Sequence, residues 1–398
     1  MAPAGGDFFL LIFTAQKCII HLAVRQKPEP AVWTDRSDCK EKHMQRKMFS
    51  LALSLCLGLA LTLGAVEKLA KPQSKDALKK MEKAEKAIKN KDYDAALALY
   101  NEVIQLEPSY APAYFTTAQL LRLKEVYDSA LANYEKALAI SPDFTLALNE
   151  YIRTLLILSQ KAVDGRDLKN AGMYFEKIVN FKNIETSHPK ELQYAAYQLG
   201  FNAYNQQDFK KSIEAFQRFL AIPEIEKSAA NNSALSAYML GLNYSRLDQT
   251  EQANPYFEKF ITAPQNETTT PWLPLSYYML AKNNSLPLTK QIAQIKAEKS
   301  GDPLVMFDLI ATAAKASTGI QPNLAKAIEL KPDLEDAFVD LGNYFFYCQD
   351  FDNALKTYND LIAKFPTSPS ITTYKSFIQN IEKEREAIKT LRTKKKAK

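Results

Sequence analysis

Three stretches of the chain repeat one pattern of apolar and polar positions. They are residues 93–108, 127–142 and 351–366. In each, an aromatic residue is followed by Ala at +3, Tyr at +7 and Pro at +15. The residues are Tyr93, Ala96, Tyr100 and Pro108, then Tyr127, Ala130, Tyr134 and Pro142, then Phe351, Ala354, Tyr358 and Pro366. Apolar residues recurring at three and four positions put one side of a helix into a core. A second helical pattern precedes each stretch, as in Tyr114, Ala118 and Leu121, or Phe338, Leu341 and Phe345. The pattern therefore predicts pairs of helices, each pair closed by a proline that cannot supply the next amide donor. Pro108, Pro142, Pro332 and Pro366 stand at those closing positions.

The first two stretches begin 34 residues apart. Small residues fall where paired helices would cross: Ala84, Ala118, Gly200, Gly241 and Gly342 on first helices, and Ala96, Ala130 and Ala354 on second helices. A larger side chain there would hold the helices apart. This period and these small positions resemble the tetratricopeptide repeat, a 34-residue helix–turn–helix unit. The resemblance covers roughly 290 residues. It implies an all-α fold, an α-solenoid wound as a right-handed superhelix of about eight repeats with a C-terminal capping helix. The units read as 77–110, 111–144, 145–185, 193–226, 234–267 and 335–366, with two degenerate units filling 268–334 and the capping helix starting at 370. In the third unit the first helix runs on to Val163, and Pro255 inside the fifth predicts a kink.

The solenoid reading spans 66–382, and the N-terminal part is of another kind. No charged residue occurs from Met48 to Val66. Gln45, Arg46 and Lys47 precede this apolar run, and Leu63, Gly64 and Ala65 end it. A basic start, an apolar middle and a small-residue exit describe a secretory signal peptide over 44–65. The alternative is an uncleaved membrane anchor, since the stretch is just long enough to span a bilayer. Residues 1–43 show no periodicity and read as an unstructured, over-extended reading frame. With the repeats, this points to an exported protein of bacterial type, in the periplasm or cell envelope.

Charge narrows the partners. The net charge of +6 resides at the two ends, since residues 66–382 hold 35 basic and 38 acidic side chains. A near-neutral body does not make a nucleic-acid groove. Within the basic tail, 383–398, the run Lys389–Lys398 reads as a solvated, disordered end, with attraction to an anionic membrane surface as the functional alternative.

Catalytic chemistry is scarce. After residue 65 the only His is His188 and the only Cys is Cys348, too few for a Cys/His zinc site. His188 reads as a surface loop residue and Cys348 as a small filler at an inter-helix turn. No phosphate-cradling glycine loop exists. Asp92 with Asp94, and Asp350 with Asp352, flank helix starts, where carboxylates favour the helix N-terminus. The sequence points to no enzyme, no metal and no cofactor.

What remains is a binding surface for a protein or peptide. The resemblance implies that first helices line a concave side and that the second, fifth, sixth, ninth, twelfth and thirteenth positions of each unit face the ligand. These are Tyr194, Tyr197, Gln198, Phe201, Tyr204 and Asn205 in the fourth unit. Tyr238, Leu242 and Arg246 occupy them in the fifth, and Asn149, Glu150 and Arg153 in the third. Tyr, Phe and Arg carry much of the energy at interfaces. The alternative is that the tyrosines pack only against neighbouring helices. The fifth positions, Met81, Phe115, Asn149, Tyr197, Tyr238 and Val339, include no Lys, so the carboxylate clamp of chaperone-binding repeats is not recognisable. The expected role is a non-enzymatic scaffold or adaptor of the cell envelope that binds a polypeptide in an aromatic groove. A membrane-anchored assembly factor is the alternative, and a helical accessory region of an enzyme a weaker one.

Overall fold

The computed structural model describes residues 71–223, 228–298 and 302–396. Among them every regular element is helical. The segments read as an N-terminal extension and as a signal peptide or anchor lie outside the described residues. The described residues form two compact bodies, 71–206 and 207–396.

The first body contains α1 (Lys75–Lys89), α2 (Tyr93–Leu106), α3 (Ala111–Leu123), α4 (Tyr127–Ile140), α5 (Thr145–Asp164), α6 (Leu168–Val179), the short α7 (Ile184–Ser187) and α8 (Pro189–Asn205). Helices α1 and α2 pair, as do α3 and α4, and α5 and α6, while α8 lies against α6. The α1/α2 core holds Ala77, Met81, Ala84, Ala96, Tyr100 and Val103. The crossing alanines Ala84, Ala96, Ala118 and Ala130 have no exposed surface, as close helix approach requires. Helix α5 is 20 residues long against 13 for α3.

Local chemistry sets the helix ends. A residue before proline is pushed out of the helical region. Accordingly Glu107, Ser141, Lys331 and Phe365 take φ of −142°, −132°, −137° and −118°, and each is the residue at which a helix stops. Between paired helices the chain turns through one left-handed residue. Lys91, Glu125, Arg166, Asp248 and Gln349 have φ between 57° and 61°. The next residue caps the following helix. Asp92 accepts from the Ala95 amide at 3.1 Å and Asp350 from that of Asn353 at 3.3 Å. These aspartates are helix caps, and Asp167 caps α6 in the same way.

The second body contains α9 (Phe209–Ala221), α10 (Ser228–Arg246), α11 (Thr250–Thr262), a 3-10 turn (Thr270–Trp272), α12 (Leu273–Glu298), α13 (Pro303–Ala316), α14 (Ile320–Leu330), α15 (Glu335–Tyr347), α16 (Phe351–Lys364) and α17 (Ile371–Lys396). Helix α11 continues through Pro255.

The two degenerate units expected over 268–334 are replaced by a single pair, α12 with α14, into which α13 is inserted. Helix α12 runs unbroken through Pro287 for 26 residues. Helix α13 lies against α12, α15 and α17. Its Met306, Ile310, Ala313 and Ala314 join one core with Leu288 and Ile292 of α12 and Leu324 of α14. The long α12 takes 26 residues of this stretch, which leaves room for three helices rather than four.

The C-terminal run is helical, and Lys389, Arg392, Lys394, Lys395 and Lys396 on it are exposed. Helix α17 carries it to Lys396. Tyr374, Ile381, Glu384 and Ile388 form its buried side, while Arg385 reaches Asp352 at 3.1 Å and Arg392 reaches Asp308 at 2.7 Å. Apolar residues at helical spacing within the charged run give it a face to bury.

Candidate functional site

Helix α8 begins at Pro189, whose ring fixes φ at the first helical position. Its Leu192, Ala195, Ala196, Leu199, Asn202 and Ala203 are buried. The opposite stripe holds Tyr194, Tyr197, Gln198, Phe201, Tyr204 and Asn205, at the three- and four-residue spacing of one helix face. Tyr194 is 42% exposed and Asn205 is exposed, while Tyr197, Gln198, Phe201 and Tyr204 are half-buried.

The rings are held by one another and by the helix beneath. Tyr197 and Phe201 meet edge to face with centroids 4.9 Å apart. Tyr194 stands edge-on to Phe175 of α6, centroids 6.1 Å apart. Edge-to-face pairing fixes ring orientation and adds to area burial. Burial pushes the Tyr194 and Tyr197 hydroxyls upward, and the Asp164 carboxylate adds to the effect on Tyr194. Both phenols therefore stay neutral donors at physiological pH.

The start of α8 is tied to α5, since His188 Nε2 lies 2.9 Å from Asn149 Oδ1. One turn along α5, half-buried Arg153 pairs with Glu150 at 3.3 Å. Glu150 is itself buried and lies 3.2 Å from the guanidinium of buried Arg122 on α3. Arg153 is thus an anchored cation at the surface. Glu150 is an internal counter-charge, not the ligand-facing residue expected at its position.

In the second body Leu242 is half-buried and Arg246 exposed. Tyr238 corrects the expectation, because it is 4% exposed. Its ring packs among Phe257, Phe260 and Trp272, with centroids 6.1, 5.3 and 5.4 Å away. Trp272 comes from the 3-10 turn, which the repeat pattern does not contain, and it covers the position. Tyr238 belongs to a core.

The reactive side chains also have structural roles. Cys348 caps α15 and is buried, and burial pushes its thiol up, away from an activated thiolate. Among the described residues no group of three or more His, Cys, Asp or Glu is placed to hold a metal, and no helix is long and apolar enough to cross a membrane.

Sequence reasoning missed a cavity of about 80 Å³ in the second body, walled by α12, α13, α15, α16 and α17. Phe307, Phe346, Phe351 and Phe377 line it together with Lys296 and Glu384. Their sequence spread, and the insertion of α13, left no local signal.

The chain matches tetratricopeptide repeat models at residues 81–143, and again at 194–222, 236–265 and 336–368. No curated protein matches it. Among solved structures it is similar to YrrB, described as a TPR protein with an unusual peptide-binding site. The identity is 16% over 70% of this chain and 97% of that one, with a TM-score of 0.31. It is also similar to the C-terminal part of a TPR repeat-containing protein from Cytophaga hutchinsonii, with 15% identity, 74% and 98% coverage and a TM-score of 0.35. A third is the TPR domain of P58(IPK), with 13% identity, 78% and 99% coverage and a TM-score of 0.27.

Proposed function

Because this chain is a tetratricopeptide-repeat protein, we propose that it is a scaffold that captures another polypeptide on the aromatic stripe of α8. The carrying observation is the stripe itself, a run of Tyr and Phe along one face with Tyr194 open to solvent and Arg153 anchored on neighbouring α5. Large, rigid side chains with a hydroxyl supply contact area at little entropic cost. The partner suited to it is an extended or helical segment with apolar anchors. Its role is binding rather than catalysis, and the groove reading is now confined to α8, without Tyr238.

The location we propose is the cell envelope, from the signal-like pattern over 44–65. An N-terminus near Val66 on the native protein supports it, and an intact apolar stretch supports the membrane-anchored alternative instead. The binding reading is tested by capture from envelope extract with residues 66–398. Tyr197→Ala combined with Phe201→Ala, and Tyr194→Ala alone, should each release the partner. If every retained partner stays bound to both variants, the α8 assignment fails.

A further inference from the structure

The cavity of the second body has a feature that packing alone does not explain. Much of its wall is aromatic, with Phe346 and Phe351 edge to face at 6.1 Å, and Asn343, Gln349 and Asn380 add carboxamides to the lining. Into this apolar space projects Glu384 of α17, which is only 7% exposed. Its Oε2 is buried and meets no donor among the described residues. A carboxylate is an acceptor only, and leaving one buried without a donor is costly. Burial pushes the Glu384 carboxyl up and the Lys296 ammonium down, and the two attract across the same cavity.

Three properties of an occupant follow. Lys296 already balances the charge of Glu384, so a neutral molecule leaves no net charge in the apolar space, whereas an ion would. The ring walls favour an aromatic body. One water needs roughly 10–15 Å³ of such space. The cavity of about 80 Å³ therefore has room for one small ring system.

We propose that this cavity is a binding site for a small neutral aromatic molecule carrying one N–H or O–H group, which donates to Glu384 Oε2 while its ring lies among Phe307, Phe346, Phe351 and Phe377. The site is independent of the α8 stripe, and it is covered on one side by α17, held through the Arg392–Asp308 and Arg385–Asp352 pairs.

The test uses the full chain with ¹³C-methyl methionine, because Met306 lines the cavity. Indole and N-methylindole differ in the single donor that the proposal requires. The Met306 methyl resonance should move saturably with indole. N-methylindole should bind roughly tenfold more weakly, the value of a hydrogen bond to a charged acceptor. Glu384→Gln should shrink that ratio, and Ile310→Trp, which fills the space, should abolish the response. An unmoved Met306 methyl at the solubility limit of indole would overturn the proposal, as would equal affinity of the unaltered chain for the two probes. Tighter binding of N-acetyltryptophanamide than of indole would also overturn it, making the cavity a seat for a polypeptide side chain instead.

Discussion

Gly342 and Tyr358 are in contact so close that a Cβ on Gly342 would stand 2.6 Å from Tyr358 Cε2. The tyrosine cannot retreat. Its ring is 1% exposed and its hydroxyl donates to Asn343 Oδ1 at 2.8 Å. Gly342→Ala is therefore expected to push α15 from α16 and to cost about 1–3 kcal/mol, as overpacking does. The urea midpoint of the second body measures this, and a change under about 0.5 kcal/mol, typical of a neutral surface site, would contradict it.

The inter-helix turns carry their own strain. Lys91 is exposed and sits at φ 61°, a conformation that costs a side chain about 1 kcal/mol and costs glycine little. Lys91→Gly should thus raise stability by about 0.5–1 kcal/mol despite removing every side-chain atom. Thermal unfolding compared with Lys83→Gly, at an exposed position inside α1, separates the two effects, because the second change should destabilise.

Buried charge gives the first body a fragile point. Arg122 and Glu150 are both buried, and Glu150 also holds Arg153. Glu150→Gln strands Arg122 and should cost about 3 kcal/mol, within the range for breaking a buried pair. Replacing both by Arg122→Met and Glu150→Leu should recover most of that loss. A double variant no better than the single one in urea would mean that the pair is not the cause.

Stability should also depend on pH through Asp340 on α15. Burial lifts its carboxyl to about 6, with Asp336 adding to the lift while Lys282 and a hydrogen bond from Tyr278 oppose it. The folded state then holds a proton that the unfolded chain has released. The contribution of Asp340 is fully present below the ordinary value of 3.8, falls as pH rises, and is lost above about 6. Asp340→Asn removes this dependence. The difference in urea midpoint between variant and parent should grow in favour of the variant from pH 4 to pH 6 and level off beyond. A difference independent of pH would contradict the assignment.

Much of the fold was legible because its signals are local. A proline at the close of a unit forces the preceding residue out of the helix. A small residue at a crossing is dictated by distance, as Gly342 shows against Tyr358. The α8 stripe was legible for the same reason, since it depends only on helical spacing within 17 residues. Tyr238 was misread because the fifth position of a unit turns into the core, as Met81, Phe115 and Val339 do at 7%, 1% and 4% exposure. The insertion of α13 escaped because Met306, Ile310 and Ala313 suit any amphipathic helix, and nothing local tells which helices it joins. Glu384 reads as one charge in a charged run until the fold turns it inward.

The central claim is most directly tested by placing a photo-crosslinking amino acid at Tyr194 or at Met173 in the full chain inside the producing cell. The two positions lie in the same body and are almost equally exposed, at 42% and 43%. Capture on the α8 stripe predicts a discrete polypeptide adduct from position 194 and none from position 173. An adduct from position 173 alone, or from neither, would contradict it.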